Sequence, residues 1–188
     1  MKKVAIFASG AGTNAENIIR SERSYEIALI ACNNPGAGVL EVAARHSIPA
    51  FLLQKEKFLR DGYVEEFKRM QVDFIVLAGF LWKLPSALLE AYPRRIVNIH
   101  PALLPEFGGK GMYGNRVHEA VLHSGSKETG ITIHYVDEHY DHGDTILQVP
   151  CPVRDDDSPQ TLAQRVHALE YAHYPKVIES LVSKLPSN

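Results

Sequence analysis

The chain has 188 residues, 45% of them apolar and 22% charged, with 20 basic residues against 22 acidic ones and a formal net charge of −2. A chain of this length buries roughly 70% of its unfolded surface without metal or disulfide staples, and its composition is that of a globular protein rather than a disordered, collagenous or coiled-coil one. The charge balance offers no basic excess for a nucleic-acid backbone, and the longest apolar run, Phe74 to Trp82, is far short of the about 20 residues that a membrane helix needs.

Met1-Lys2-Lys3 has the basic start of a signal peptide, but the apolar stretch behind it, Val4 to Ala8, is shorter than the usual roughly 7–15 residues. Lys3 to Ala8 is instead expected to form a first buried strand, and the chain is expected to be cytoplasmic. Ser9 to Asn14 is a tight turn, and Asn14 to about Arg23 a helix. Ile27 to Cys32 is a second strand, Gly38 to His46 a helix and Ala50 to Leu53 a short strand. Phe58 to Met70 reads as one amphipathic helix. Phe74 to Ala78 is continuously apolar, the pattern of a strand buried on both faces. Pro85 opens a short helix through Ala91, and Ile96 to Ile99 is another strand.

His100 to Gly114 is a glycine-rich loop, and Asn115 to Ser124 suits a helix. Gly130 to Val136 and Thr145 to Val149 alternate, as an antiparallel pair would. Ser158 and Pro159 have the chemistry of a helix cap and first position. Leu162, Val166 and Leu169 mark one face of that last helix, and Pro175 is expected to kink or restart it. The strand–helix rhythm predicts an α/β fold: a Rossmann-like, doubly wound, mostly parallel sheet with helices on both faces and an antiparallel C-terminal strand pair, in one domain over 1–188. Cys32 and Cys151 are expected to be buried free thiols.

Three segments carry chemistry. The first is Gly10-Ala11-Gly12-Thr13-Asn14. A turn from a first strand into a helix aims free N–H groups at the ligand edge of the sheet, and phosphate suits it. The turn also fits the loose dinucleotide pattern, but Asn33 or Asn34 stands where a ribose-binding acid belongs. A purely structural turn is the third reading. The second segment is Ile96 to Pro101. Asn98 and His100 are two apart on a strand, so they share a face at the strand's carboxyl end. An amide donor beside an imidazole suits a reaction that develops negative charge on oxygen. A polar strand end bonded to its own loop is the alternative. The third is His134 to Asp144, dense in titratable groups. It admits a solvated hairpin turn, a carboxylate folded onto His100, or a metal held by His134, His139, His142 and an acid, though that spacing matches no standard ligand set.

Taken together, Ser9 to Asn14, Leu77-Ala78-Gly79-Phe80, Asn98-Ile99-His100-Pro101-Ala102-Leu103-Leu104-Pro105, Asp137 to Gly143 and Glu170 through Tyr174-Pro175 resemble the folate-dependent formyltransferases. The Ser-Gly-x-Gly-Thr-Asn turn resembles the branch that acts on a glycinamide ribonucleotide. That resemblance implies formyl transfer from 10-formyltetrahydrofolate, as co-substrate, to the glycinamide amine of 5′-phosphoribosylglycinamide, a step of de novo purine biosynthesis. It implies small-molecule substrates, no metal, no nucleic acid and no membrane, and it admits a homodimer. A relative acting on methionyl-tRNA would need a further C-terminal domain and a basic surface, and a deformylase usually carries an added N-terminal domain.

The resemblance also implies residue roles. Asn98, His100 and Asp141 would be catalytic. Gly12, Thr13 and Asn14 would hold the phosphate, and His167 and Glu170 the sugar or glycinamide end. Leu81, Trp82, Lys83 and Leu84 would clasp the pterin with Asn98 and the loop of Asp137, Glu138, His139, Tyr140 and Asp141. Arg60 would meet the folate tail. The chain departs from the family pattern in a longer loop at 106–114, in Trp82 and Lys83 where an arginine is common, and in His167 at a glutamine position.

Overall fold

The computed structural model describes residues 1–186. The strands are β1 (Lys3–Ala8), β2 (Glu26–Cys32), β3 (Ala50–Leu52), β4 (Phe74–Leu77), β5 (Ile96–His100), β6 (Glu128–Tyr135) and β7 (Thr145–Pro152). The helices are α1 (Thr13–Arg20), α2 (Val39–Arg45), α3 (Lys55–Asp61), α4 (Val64–Arg69), α5 (Ser86–Ala91), α6 (Asn115–Ser124) and α7 (Pro159–Val182). One sheet holds every strand in the order β3-β2-β1-β4-β5-β6-β7. It is parallel from β3 to β5 and antiparallel across β5-β6-β7. The expected doubly wound sheet and its antiparallel pair are both present.

Period-two alternation divides the core. From β1, Val4, Ile6 and Ala8 face one cluster, which α1, α2 and α7 cover with Ile18, Val39, Val166 and Tyr174. Ala5 and Phe7 face the other, built from Phe58, Phe67 and Leu88. Tyr174 is fully buried, and its hydroxyl donates to the Leu77 carbonyl at 2.8 Å, with that of Val97 at 3.2 Å. It therefore docks α7 onto β4 and β5, the two strands whose ends frame the site.

One expectation from local pattern fails, and one of the two alternatives for the last helix is ruled out. The helix expected over Phe58 to Met70 is two helices, α3 and α4, broken where Gly62 and Tyr63 both take positive φ, 62° and 56°. Packing imposes the break. A Cβ on Gly62 would stand 2.8 Å from the Leu88 Cβ of α5, and Asp61 Oδ1 accepts the Tyr63 N–H at 2.9 Å. Pro175, in turn, does not restart the last helix, because α7 runs through it unbroken. A proline leaves the carbonyl four residues earlier without its donor. Here Asn17 Nδ2 donates to that Tyr171 carbonyl at 3.0 Å and replaces the missing bond.

Smaller differences follow the same logic. The first helix ends at Arg20, where the Ser21 hydroxyl donates to the Asn17 carbonyl at 2.7 Å. Strand β7 continues past Val149 to Pro152, paired with the start of β6. Ser158 caps α7 as expected, accepting the Thr161 N–H at 3.2 Å. Cys32 and Cys151 are free and buried. No helix among the described residues is long and apolar enough to cross a membrane.

Candidate active site

The winding of the sheet reverses between β1 and β4, the crevice where open α/β sheets bind ligands. A cavity of about 540 Å³ opens there. The segment after β1 is tied to the one after β4: Ser9 N–H donates to the Gly79 carbonyl at 3.0 Å, and the Ser9 hydroxyl accepts the Leu81 N–H at 2.9 Å.

One wall of the cavity is the turn Gly10 to Asn14. Gly12 has φ +82°, and a Cβ there would stand 2.7 Å from Val39 Cγ2. Only glycine lets the turn pack on α2. No side chain caps α1, so its first N–H groups stay open to an anion with the helix dipole behind them. Asn14 is turned sideways. Its Nδ2 donates to Glu170 Oε2 at 2.9 Å, which also accepts His167 Nδ1 at 2.8 Å. Glu170 raises the pKa of His167. Asn14 Oδ1 is buried without a partner, and Asn14, His167 and Glu170 all line the cavity.

The opposite wall is β5 and the loops around it. Asn98 and His134 are directly opposed on β5 and β6. His134 Nδ1 donates to the Tyr135 carbonyl at 2.8 Å. Burial lowers this histidine's pKa, so the neutral ring offers Nε2 as an acceptor, and Asn98 Nδ2 donates to it at 3.1 Å. The same Nδ2 lies 3.5 Å from Asp141 Oδ1. His100 Nε2 donates to the Phe107 carbonyl at 2.7 Å. Its Nδ1, the nitrogen left for proton exchange, stands 3.5 Å from Asp141 Oδ1. Asp141 Oδ2 accepts the Gly109 N–H at 3.0 Å. Asn98, His100 and Asp141 are thus one constellation, and the long loop 106–114 is part of its frame.

A second, smaller cavity of about 60 Å³ shares Phe80, Asn98, Tyr140 and Asp141 with the first. Trp82, Lys83, Leu84, Asp137 and His139 also line it, while Leu81 lines the larger one. Arg60 lies outside both, in an exposed groove with Lys83, Leu84 and Glu138, and its guanidinium pairs with Asp61 at 3.2 Å. Of the imagined metal ligands, His134 is turned inward to Asn98. Asp137, His139 and His142 bring ligand atoms within 4.8 Å of one another at the surface, where His142 Nδ1 already meets Asp137 Oδ2 at 2.7 Å.

The chain matches the model of the formyl transferase family, "Formyl transferase", over residues 2–178. It belongs to that family. It is 37% identical to the phosphoribosylglycinamide formyltransferase of Bacillus subtilis, over 97% of this chain and 95% of that one. It is 40% identical to a chloroplastic phosphoribosylglycinamide formyltransferase of Vigna unguiculata over 96% of its own length, but spans 61% of that relative. The crystal structure of phosphoribosylglycinamide formyltransferase from Bacillus halodurans superposes with a TM-score of 0.88 at 41% identity, covering 97% of this chain and 96% of the other.

In this member of the family, the sequence pattern left part of the main cavity's lining unread. Lys110, Met112, Tyr113, Arg116 and His118 all line it. The only signals were the glycine density of the 106–114 loop and its lysine. Arg116 and His118 lie on a helix whose facing could not be fixed without knowing what it packs on.

Proposed function

We propose that the chain transfers the formyl group of 10-formyltetrahydrofolate to the amine of 5′-phosphoribosylglycinamide, in de novo purine biosynthesis. The reading is carried by one observation: an open anion-binding turn and the Asn98–His100–Asp141 constellation line the same cavity. The named relatives supply the acceptor, and the family the folate donor.

The phosphate sits on the N–H groups of Gly12, Thr13 and Asn14. That turn has no lysine or arginine, so counter-charge comes from Lys110 and Arg116 across the cavity. Glu170, held by Asn14 and His167, accepts the ribose hydroxyls. The pterin occupies the smaller cavity against the backbone of Leu81 to Leu84 and Asp137 to Asp141, with Trp82 and Tyr140 beside it. Arg60 receives the anionic tail along the exposed groove.

The amine nitrogen attacks the formyl carbon, and the carbonyl π electrons move to oxygen. Asn98 donates to that oxyanion. Collapse re-forms the carbonyl and breaks the bond to folate N10. One proton leaves the amine and one arrives on N10, so the transfer balances without a redox group. His100 and Asp141 exchange those protons, with Nε2 of His100 committed to Phe107 and Nδ1 facing the carboxylate. A cytoplasmic setting fits the two free buried thiols.

The test is a spectrophotometric assay with 10-formyl-dideazafolate, with and without the ribonucleotide. Release of deformylated folate only with the ribonucleotide is the expected result. Equal release without it would make the chain a hydrolase, and no release in either tube would overturn the reading.

A further inference from the structure

His118, on α6, lines the main cavity yet is only 1% exposed. Its Nδ1 is sealed from solvent and has no hydrogen-bond partner among the described residues. Neighbouring Val117 and Val121 on the same helix are fully buried and apolar. An unpaired imidazole among them opposes folding, which is the kind of local conflict expected at a functional position.

The ring's surroundings say what it addresses. It stands edge-to-face with His167, 6.2 Å between centroids. His167, Glu170 and His100 line the same cavity and all act on its proton affinity. Burial, reinforced by His167, pushes its pKa down to about 4, so the ring is neutral near pH 7. A neutral imidazole carries one N–H. A sealed, unpaired N–H is rarer than an under-satisfied acceptor, so the proton belongs on Nε2 and makes that atom a donor.

We propose that His118 is a recognition residue for the acceptor substrate, its Nε2–H donating to the amide carbonyl between the reacting amine and the ribose. This rests on the function proposed above. With the amine at His100 and the ribose at Glu170, the glycinamide carbonyl is what spans the space between them, and a neutral donor matches a neutral acceptor.

The experiment is titration calorimetry of phosphoribosylglycinamide on the full chain, its His118→Leu variant and its His118→Asn variant, with steady-state kinetics and melting curves on the same samples. Leucine should weaken ribonucleotide binding by roughly tenfold, one neutral hydrogen bond. The loss should appear in KM for the ribonucleotide rather than in kcat, and the Tm should hold or rise because an unpaired buried polar group has gone. Asparagine, which keeps an N–H donor, should recover part of the affinity. Unchanged binding in His118→Leu would overturn the inference alone. So would equal losses in both variants with a lowered Tm, the mark of a purely structural residue. A wild-type chain that does not bind the ribonucleotide would overturn the function reading and this inference with it.

Discussion

Asn98 donates its side-chain amide to Nε2 of His134 at 3.1 Å, from the directly opposed position on the neighbouring strand. The bond fixes which end of the Asn98 amide is nitrogen, because the His134 Nδ1 proton is already given to the Tyr135 carbonyl. An oxyanion can be met only by a nitrogen end that is held in place. His134→Phe should therefore lower kcat by about ten- to a hundredfold, the scale of a displaced oxyanion donor, with little change in either KM. His134→Gln, which can still accept, should retain more activity. Equal turnover in wild type and His134→Phe would refute the positioning role.

His100 and Asp141 are proposed to move the protons. His100→Ala and Asp141→Asn should each lower kcat by roughly 10²- to 10⁴-fold, with unchanged far-UV circular dichroism. Asp141→Asn is the sharper variant, since it keeps the shape and removes the charge. Near-normal turnover in either would defeat the assignment.

Arg116 and Lys110 line the same cavity as a turn that has no cation of its own. Arg116→Met and Lys110→Met should each raise KM for the ribonucleotide several-fold. They should also flatten its rise with added salt, because screening acts on the charges removed. Inorganic phosphate should compete less well against both variants than against wild type. An unchanged salt dependence would place the counter-charge elsewhere.

Stability should depend on pH through His118. Its folded pKa, pushed down to about 4, lies below the ordinary value of 6.5. The unfolded chain therefore binds more protons between those values. The stability tied to the neutral ring is full above pH 6.5 and falls as pH drops towards 4, at up to about 1.4 kcal/mol per pH unit. His167 works in the opposite sense, since Glu170 raises its pKa and its contribution is lost as pH rises through that raised value. As pH is lowered from 6.5 to 4.5, urea midpoints should fall more steeply for wild type than for His118→Leu. Parallel curves would count against a buried neutral His118.

Asn17 substitutes for the backbone donor that Pro175 lacks. Asn17→Ala should cost about 1–2 kcal/mol, because it leaves the Tyr171 carbonyl without its donor. In a Pro175→Ala background the cost should shrink, since residue 175 then supplies its own N–H. A double-mutant cycle by urea denaturation checks this, and simple additivity would rule out the substitution of one donor for another.

The strands and the sheet were legible because their signals are local. Apolar runs such as Phe74 to Leu77 and alternation such as Ile131 to Tyr135 need no knowledge of partners. The glycine turn after β1 and the Asn98-Ile99-His100 run were legible because their signals are local too: glycine spacing marks the turn, and a strand's period fixes which side chains share a face. The failures were of another kind. Phe58 to Met70 carries one continuous helical pattern, yet the chain breaks at Gly62 and Tyr63, where it packs so close to Leu88 that a Cβ on Gly62 would clash. Pro175 forbids a backbone bond in any sequence window, and only Asn17, distant along the chain, supplies another.

The site divides along the same line. The amino-acid sequence by itself determined the chemical types: an open glycine turn, an amide and an imidazole on one strand face, and a carboxylate in the loop after β6. Only the tertiary structure decided how each is held. The loop at 106–114 bends back so that Phe107 and Gly109 grip His100 and Asp141. Asn14 reaches Glu170, and His118 is sealed into the cavity wall. These are contacts between segments whose separation along the chain carries no periodic signal. The polar ones form because groups taken out of water are stabilised by pairing with one another.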